Sequence, residues 1–378
     1  MLGLFVAALL AGSAMGGGGA AGAVAPVVSV QNTDGGETDR AARLLAGLQD
    51  DAPPREWWTR SYTRRLARAF EHFEAKVGAP MQAWAERALA QSSGDTVFYP
   101  FAGADFPTAH RLYPQASRYV LVAMQRGGPP PRPEVMDRED RQILLAEYEP
   151  LLTGFLRRGF FKTQEMNDGT TGEAMVRGIT GLLMAFAARE GFEVRMIEPI
   201  HLTDAGLVEV HPGDRARGAT WDSVRLHLTR RSDRAPIVLE YHRVGLSNMN
   251  LKPGTSPYAF VASLADDRVI LKAASHLPQD INFTAFTQLV LAQAPTIVQD
   301  ETGVAYDALT GRFAVELYGS YAQVNLLFDD EDQNTLIEAY RAAKTVPRLP
   351  FHVGYRKGTQ ACMLVATRPP AKVPPGAP

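Results

Sequence analysis

From Gly94 onward, segments rich in β-branched and aromatic residues alternate with segments whose apolar residues recur at helical spacing. The strand candidates are residues 96–101, 118–124, 193–198, 223–229, 236–244, 268–274, 296–298, 313–318 and 362–367. The clearest helix candidates are residues 105–112, 138–158, 172–190, 257–265, 283–294 and 330–343. Because parallel strands need crossover connections, this alternation predicts an α/β fold with a mostly parallel sheet and helices on both faces.

The residues before this alternation predict a helical cap. Three helix candidates lie in residues 39–93, at 40–48, 56–76 and 80–91. The second carries an apolar stripe made of Trp57, Trp58, Tyr62, Leu66, Ala69, Phe70 and Phe73. A helix with one apolar stripe buries it against a larger body, so we expect residues 39–93 to cover the α/β domain of residues 94–368. The Trp pair also permits another interpretation, a platform for a sugar or a lipid.

Residues 202–231 break the alternation of strands and helices. They contain two short strand candidates separated by the turn sequence His211-Pro212-Gly213-Asp214. Two short strands joined by such a turn are typical of an antiparallel hairpin. We therefore predict a small antiparallel insertion in the sheet.

Both ends of the chain are predicted to lie outside the fold. Residues 2–10 are apolar and are followed by small residues, with Ala21-Gly22-Ala23 as a plausible cleavage site, which is typical of a signal peptide at 1–23. A disordered Gly/Ala tail is the alternative. Residues 24–38 and the Pro-rich residues 369–378 predict a disordered linker and a disordered tail. The expected location is therefore the periplasm or the extracellular space, with no integral membrane segment in the mature chain.

Composition argues against several classes of function. The 378 residues carry a formal net charge of −2, and the arginines are not gathered in a basic arm, so no nucleic-acid partner is expected. Cys362 is the single cysteine, which excludes an internal disulfide bond and a cysteine-based zinc site. The eight histidines show no ligand spacing. We expect neither a metal ion nor a cofactor.

The predicted sheet suggests where a ligand would bind. In an open parallel sheet, ligands occupy the crevice at the carboxyl ends of the strands, which here includes the turn between Thr96 and Asp105. The candidate ligand-binding residues at this edge are Tyr99, Gly103, Asp105, Tyr241, Ser247 and Asn248. The candidate acid-base residues are Lys272, His276 and Asp300.

Each candidate also has a structural interpretation. Asp105 stands where an N-terminal helix cap is expected, and Tyr99 alternates with core residues. Lys272 interrupts an apolar strand, so its charge needs a partner, for which Glu240 or Asp300 is the natural choice. A Ser247, His276 and Asp300 relay would fit a hydrolase, but the sequence around Ser247 lacks the second glycine of the nucleophile elbow.

The order of strands and helices over residues 94–330 resembles the Rossmann-like fold of S-adenosylmethionine-dependent methyltransferases. The turn Pro100-Phe101-Ala102-Gly103 is similar to the Pro-Phe-x-Gly turn of the amino-methyltransferase branch, where backbone amides approach the cofactor. The resemblance implies an acid before that proline and another after the second strand. This chain has Tyr99 and Gln125 there, and neutral residues cannot make the charge-assisted hydrogen bonds that fix the cofactor. If this resemblance and the resemblance to an exported family both hold, the fold was kept and the cofactor lost.

A second resemblance covers most of the mature chain. Residues 98–105, the segment Gln299-Asp300-Glu301-Thr302-Gly303 and the leading apolar segment are together similar to a family of exported bacterial proteins without assigned activity. We therefore predict an exported protein that binds a small molecule or a glycan near the Tyr99–Asp105 turn. One alternative is an exported hydrolase or transferase that uses Lys272, His276 and Asp300. The other is a methyltransferase.

Overall fold

The computed structural model describes residues 36–48, 56–92, 94–161, 175–210, 220–321, 333–355 and 361–370. Some predicted features lie wholly or largely outside these residues: the signal peptide at 1–23, the linker at 24–38, the turn at 211–214, the start of the 172–190 helix, the first residues of the 330–343 helix and the tail at 369–378.

The described helices are α1 (Glu37–Leu45), α2 (Trp57–Phe73), α3 (Ala79–Ala88), α4 (Phe106–Leu112), α5 (Arg138–Arg158), α6 (Thr180–Arg189), α7 (Ser256–Leu264), α8 (Thr284–Gln293), α9 (Tyr306–Leu309) and α10 (Asn334–Ala342). The described strands are β1 (Thr96–Pro100), β2 (Arg118–Ala123), β3 (Phe192–Leu202), β4 (Val208–Val210), β5 (Ser223–Arg230), β6 (Pro236–Arg243), β7 (Arg268–Leu271), β8 (Thr296–Gln299), β9 (Ala314–Gly319) and β10 (Cys362–Thr367). Every helix and strand predicted within the described residues has a counterpart here.

The ten described strands form one sheet in the order β4-β3-β5-β6-β2-β1-β7-β8-β10-β9. Its centre is parallel, since β6, β2, β1, β7 and β8 all run in the same direction. Antiparallel strands extend it on both sides, β5, β3 and β4 beyond β6, and β10 and β9 beyond β8. The protein therefore has an α/β fold, but its sheet is mixed rather than mostly parallel as predicted, because five of the nine pairings between the described strands are antiparallel.

Successive residues of the central strands face opposite sides of the sheet. Phe98 belongs to an apolar layer with residues of α7 and α8, whereas Tyr99 belongs to a second layer with residues of α1 to α6. In β2 the same alternation separates Val120 from Leu121. Burial on both faces explains why these strands read as nearly continuous apolar runs. The predicted helices on both faces of the sheet are thereby confirmed.

The N-terminal helices pack on one face of the sheet. α1 lies against α6, and α2 lies against α5. Leu45, Leu66 and Phe73 are buried in the same apolar cluster as residues of the central strands. Tyr62 also ties α2 to α1, because its hydroxyl donates to the carbonyl oxygen of Leu45 at 2.5 Å. Within the described ranges, no helix combines the length and the apolar character needed to cross a bilayer.

The antiparallel insertion differs from the predicted hairpin. β4 and β5 do not pair with each other, because β3 lies between them and is antiparallel to both. The reason is the connection after β5, where a short turn containing Arg234 at φ 62° joins β5 directly to β6. One edge of β5 is thereby taken by β6, and the 11-residue β3 takes the other.

A buried ionic cluster joins β6 to its two neighbouring strands. The carboxylate of Glu240, which is 1 % exposed, accepts hydrogen bonds from Arg118 and Arg225, each at 2.7 Å, and lies 3.4 Å from Nε2 of His242. Burial raises the pKa of Glu240, but the His242 contact and the two guanidinium groups outweigh it and hold this pKa well below its usual range. Burial lowers the pKa of His242. This imidazole is therefore neutral at pH 7.

Acid is expected to destabilise the protein through this cluster. Both pKa values are lower in the folded than in the unfolded chain, so stability falls as the pH drops below about 6.5 for His242 and below about 4.3 for Glu240. Glu240→Gln should lower the free energy of unfolding by about 2 kcal/mol near neutral pH, because both guanidinium groups keep some solvent contact. It should also flatten the fall in stability between about pH 5 and about pH 3.

Urea denaturation across this pH range measures both effects. Glu338→Gln, at an exposed position on α10, is the matched control and should leave stability and its acid dependence unchanged. An acid dependence of Glu240→Gln as steep as that of the unmodified protein would contradict the assignment.

Candidate functional site

The parallel centre of the sheet brings five loops to one edge, since the carboxyl ends of β6, β2, β1, β7 and β8 lie side by side. After β1 the chain turns sharply. Phe101 and Gly103 adopt left-handed φ values of 61° and 58°. Asp105 then caps α4, because its Oδ1 accepts a hydrogen bond from the Thr108 amide at 3.1 Å. The predicted helix-cap role of Asp105 is confirmed.

A buried polar cluster lies behind this turn. The Lys272 amine is 2.5 Å from Oδ2 of Asp105 and donates to Oγ1 of Thr108 at 2.9 Å and to the carbonyl oxygen of Gly159 at 2.5 Å. The Tyr99 hydroxyl donates to the same Asp105 oxygen at 2.9 Å. Burial, together with the nearby carboxylate, raises the pKa of Tyr99 well above its usual range, so this hydroxyl keeps its proton.

The surroundings of Lys272 show that its charge is internally satisfied. The residue is 2 % exposed, and Asp105 is equally buried. Its three recorded hydrogen bonds use all the protons of an ammonium group. Lys272, Asp105 and Tyr99 therefore hold the turn after β1 against the start of α4 and the end of α5.

Of the two predicted partners of Lys272, Glu240 was wrong, and Asp300 interacts with the lysine only through its charge. Glu240 belongs to β6, and although β6 is the strand before β7 in the chain, β2 and β1 lie between them in the sheet. Asp300 follows β8 and makes its hydrogen bonds to Ala273 and Thr302, although it lies close enough for the charge of Lys272 to act on it. In the sheet β7 lies between β1 and β8. The Lys272 side chain, just after β7, therefore meets the turn that follows β1.

A strained segment follows Lys272. Ala273, Ser275 and His276 have φ values of 50°, 52° and 57°, a conformation that is costly for residues other than glycine. Hydrogen bonds hold the segment in place: the Ala273 amide donates to Oδ2 of Asp300 at 2.8 Å, and the Tyr355 hydroxyl donates to the Ala273 carbonyl at 2.7 Å. With Phe101, four left-handed non-glycine residues thus lie at the ends of the adjacent strands β1 and β7.

Asp300 is a fully buried anchor for this segment. Besides the Ala273 amide, its carboxylate accepts hydrogen bonds from the amide of Thr302 at 3.0 Å and from its hydroxyl at 2.5 Å. Burial raises the pKa of Asp300, and these hydrogen bonds and the charge of Lys272 oppose that rise. The chain passes close by, since a Cβ on Gly354 would lie 2.1 Å from Oδ2.

The remaining candidate ligand residues tie loops together. The Tyr241 hydroxyl donates to the Gln125 carbonyl at 2.6 Å, which fixes the end of β2 to β6. Asn248 joins the loop after β6 to the start of α8, since its side chain donates to Ile281 O at 2.8 Å and accepts from the Ala285 amide at 2.9 Å. The Ser247 hydroxyl accepts from the Asn250 side chain at 3.3 Å. His276 is 4 % exposed, at the start of a single 3₁₀ turn.

An apolar surface accompanies these loops. Met124, Met249 and Ile281 follow β2, β6 and β7 and are 57 %, 66 % and 79 % exposed. Met249 and Ile281 lie close together, because the neighbouring Asn248 is bonded to the backbone at Ile281. The rings of Phe101 and Phe283 are half-buried and meet edge to face at 5.9 Å. We call these five residues the apolar rim.

The loop after β2 is closed by protein backbone. The amides of Gly127 and Gly128 donate to the carbonyls of Asp222 and Trp221 at 2.9 and 2.6 Å. The Thr180 amide and hydroxyl both donate to Gly127 O, at 2.8 and 2.9 Å. A Cβ on Gly128 would lie 1.9 Å from the carbonyl oxygen of Arg177. Backbone of residues 177–180 and 221–222 therefore packs directly against the loop that follows the neutral Gln125.

Several residues of this edge could not be found by reading the sequence. Gly159, Gly354 and Tyr355 are brought to it by the fold, from more than fifty positions away from Lys272 or Asp300. Thr302 did carry a signal, because Asp followed two residues later by a Thr amide is a common turn pattern.

The comparisons with protein-family models, with curated proteins and with solved structures found no match to this chain. Among the described residues, no group of three or more His, Cys, Asp or Glu side chains is arranged to hold a metal ion.

Proposed function

We propose that this is an exported α/β protein that binds a small molecule with an apolar part at the strand-end crevice beside the Tyr99–Asp105 turn, without catalysing a reaction on it. The observation that carries the proposal is the apolar rim, in which exposed side chains of the loops after β2, β6 and β7 accompany the Phe101 and Phe283 rings at one edge of the sheet. Exposed apolar residues that gather in one place are typical of a binding site. The apolar residues 2–10 and the small residues after them support export.

Backbone strain favours the same place. Left-handed non-glycine residues persist only where surrounding contacts enforce them, and they concentrate at functional sites. Here Phe101 and Ala273 adopt this conformation at the ends of neighbouring parallel strands. The buried ion pair of Lys272 and Asp105 lies between the same two loops. The pair stabilises their strained conformation, so no ligand is needed to hold the loops in place.

The strand order supports a Rossmann-like fold. β6-β2-β1-β7-β8 follows the order 3-2-1-4-5 of that fold. The order reverses between β1 and β7, and ligands of Rossmann-like proteins bind at that point. The proposed crevice lies there.

The polar candidates favour binding over catalysis. An acid-base group has to reach the substrate, but the Lys272 amine and the Asp300 carboxylate are buried and already hydrogen-bonded inside the protein. The apolar rim likewise favours an apolar small molecule over a glycan at this edge. A methyltransferase remains the second candidate because of the strand order, although the closed loop after β2 and the neutral Gln125 both oppose it.

The test uses the fluorescent probe 8-anilinonaphthalene-1-sulfonate, which brightens on apolar surfaces, with the folded full-length protein. We expect saturable binding that Ile281→Glu and Met249→Glu each weaken by about tenfold or more. Val210→Glu, at a 41 % exposed apolar position on the edge strand β4, is the matched control and should bind as the unmodified protein does.

Two results would overturn the proposal. One is probe binding that is unchanged in Ile281→Glu and Met249→Glu. The other is calorimetric binding of S-adenosylmethionine that is lost in a Gly103→Val variant with unchanged circular dichroism, which would favour the methyltransferase.

A further inference from the structure

A second candidate site lies far from the strand-end crevice. An open cleft of about 740 Å³ separates the beginning of α2 from the beginning of α5. Its lining includes Trp57, Trp58, Arg138, Glu139, Gln142 and Ile143. Gly159, whose carbonyl oxygen accepts a hydrogen bond from Lys272 behind the strand-end turn, lies beyond the opposite end of the 21-residue helix α5. Because an α-helix rises 1.5 Å per residue, the two places are about 30 Å apart.

The two tryptophans make the cleft unusual. Trp57 is 66 % exposed, although an indole ring of this size is normally covered in a folded protein. Trp58 is 7 % exposed, and its buried Nε1 has no hydrogen-bond partner in the part of the chain that the structure describes. A buried donor without a protein partner calls for an explanation, and a hydroxyl group of a ligand in the cleft that Trp58 lines would supply one.

The polar groups of the cleft have mixed character. Glu139 supplies carboxylate oxygens that accept hydrogen bonds, and Arg138 supplies a guanidinium group that donates them. The side-chain amide of Gln142 can both accept and donate. Asp137 adds a second carboxylate, although one of its oxygens caps α5 by accepting from the Asp140 amide at 2.9 Å. With both charge signs present, the cleft is suited to neither a strongly anionic nor a strongly cationic ligand.

We propose that this cleft is a binding subsite for a neutral β-linked oligosaccharide. In β-linked sugars of the gluco configuration, such as glucose and N-acetylglucosamine, the ring substituents are equatorial, so both faces of the ring present C–H groups that can stack on the exposed indole of Trp57. Their hydroxyl groups both donate and accept, which matches the amide, carboxylate and guanidinium groups of the cleft. A lipid acyl chain would leave these polar groups desolvated and unpaired. The proposal does not depend on the strand-end crevice.

The experiment titrates the full-length protein with chitotetraose and with cellotetraose, using tryptophan fluorescence and isothermal titration calorimetry. We expect at least one of them to change the indole emission and to bind with a Kd of about 1 mM or tighter. Trp57→Ala should weaken that binding by about tenfold or more, which is about 1.4 kcal/mol. Because Trp57 is largely exposed, this variant should fold normally, which circular dichroism checks.

Two controls make the result specific. Trp221→Phe removes a half-buried indole beside the loop after β2 and should bind the sugar as the unmodified protein does. Ile281→Glu, which damages the apolar rim, should also bind normally, so that failure of one proposal is distinguished from failure of the other. The subsite is refuted if neither sugar binds at about 1 mM, or if Trp57→Ala binds as tightly as the unmodified protein.

Discussion

Lys272→Ala is expected to lower the free energy of unfolding by about 3 to 5 kcal/mol. The substitution leaves the Asp105 carboxylate buried without its counter-charge, and it also removes the hydrogen bonds to Thr108 and to the carbonyl oxygen of Gly159. Removing one member of a buried pair is far more costly than removing both. Equilibrium unfolding in urea measures the change.

A double-mutant cycle separates the ion pair from simple loss of packing. Asp105→Asn keeps the hydrogen-bonding shape of the helix cap, and Lys272→Met keeps most of the side-chain volume. Combined, they should destabilise less than the sum of the single changes, by about 2 kcal/mol. Lys344→Ala, at an exposed position, is the control and should change stability by less than about 0.5 kcal/mol. A Lys272→Ala variant as stable as the unmodified protein would instead mean that the lysine serves a ligand.

Gly128→Ala is expected to destabilise the protein by about 3 kcal/mol or more. The new Cβ would lie 1.9 Å from the carbonyl oxygen of Arg177 and 2.6 Å from its carbonyl carbon. Both atoms belong to the backbone, so no side chain can turn away to relieve the clash. The φ of +77° adds strain for any residue with a Cβ. The loop after β2 would have to separate from residues 177–180.

Gly191→Ala is the matched control for this prediction. Its φ of +86° is similar, but a Cβ there would meet nothing within 4 Å, so only the conformational strain of about 1 kcal/mol applies. Thermal and urea denaturation of the two variants give the comparison. Equal stabilities would show that the loop after β2 is not packed as described, and the space for a cofactor would then be open.

The central strands could be predicted because their position in the fold determines their sequence pattern. Phe98 and Tyr99 are apolar because both faces of β1 are covered, and such runs are visible in the sequence. The order of the strands is not visible in this way. The partner of Lys272 was missed for this reason, since strands that are consecutive in the chain are separated by two others in the sheet.

The candidate site was predicted in its location more than in its chemistry. The rule that ligands bind at the carboxyl ends of parallel strands predicts a site at this edge, and the structure does bring the loops after β6, β2, β1, β7 and β8 together there. Which side chains are exposed there depends on packing between distant segments. Lys272 and Asp105 became internal because the end of α5 covers them, whereas Ile281 remained exposed in a loop. No local pattern distinguishes these two outcomes.

The polar cluster of Tyr99, Asp105 and Lys272 supports this edge from inside, and we propose that the apolar rim contacts the bound molecule. The most direct measurement is an electron-density map of crystals soaked in 8-anilinonaphthalene-1-sulfonate. We predict density for the probe against Phe101, Met249 and Ile281, with the Lys272 amine still within hydrogen-bond distance of Asp105. Density for the probe against the Lys272 amine, or at no point along the rim, would contradict the account.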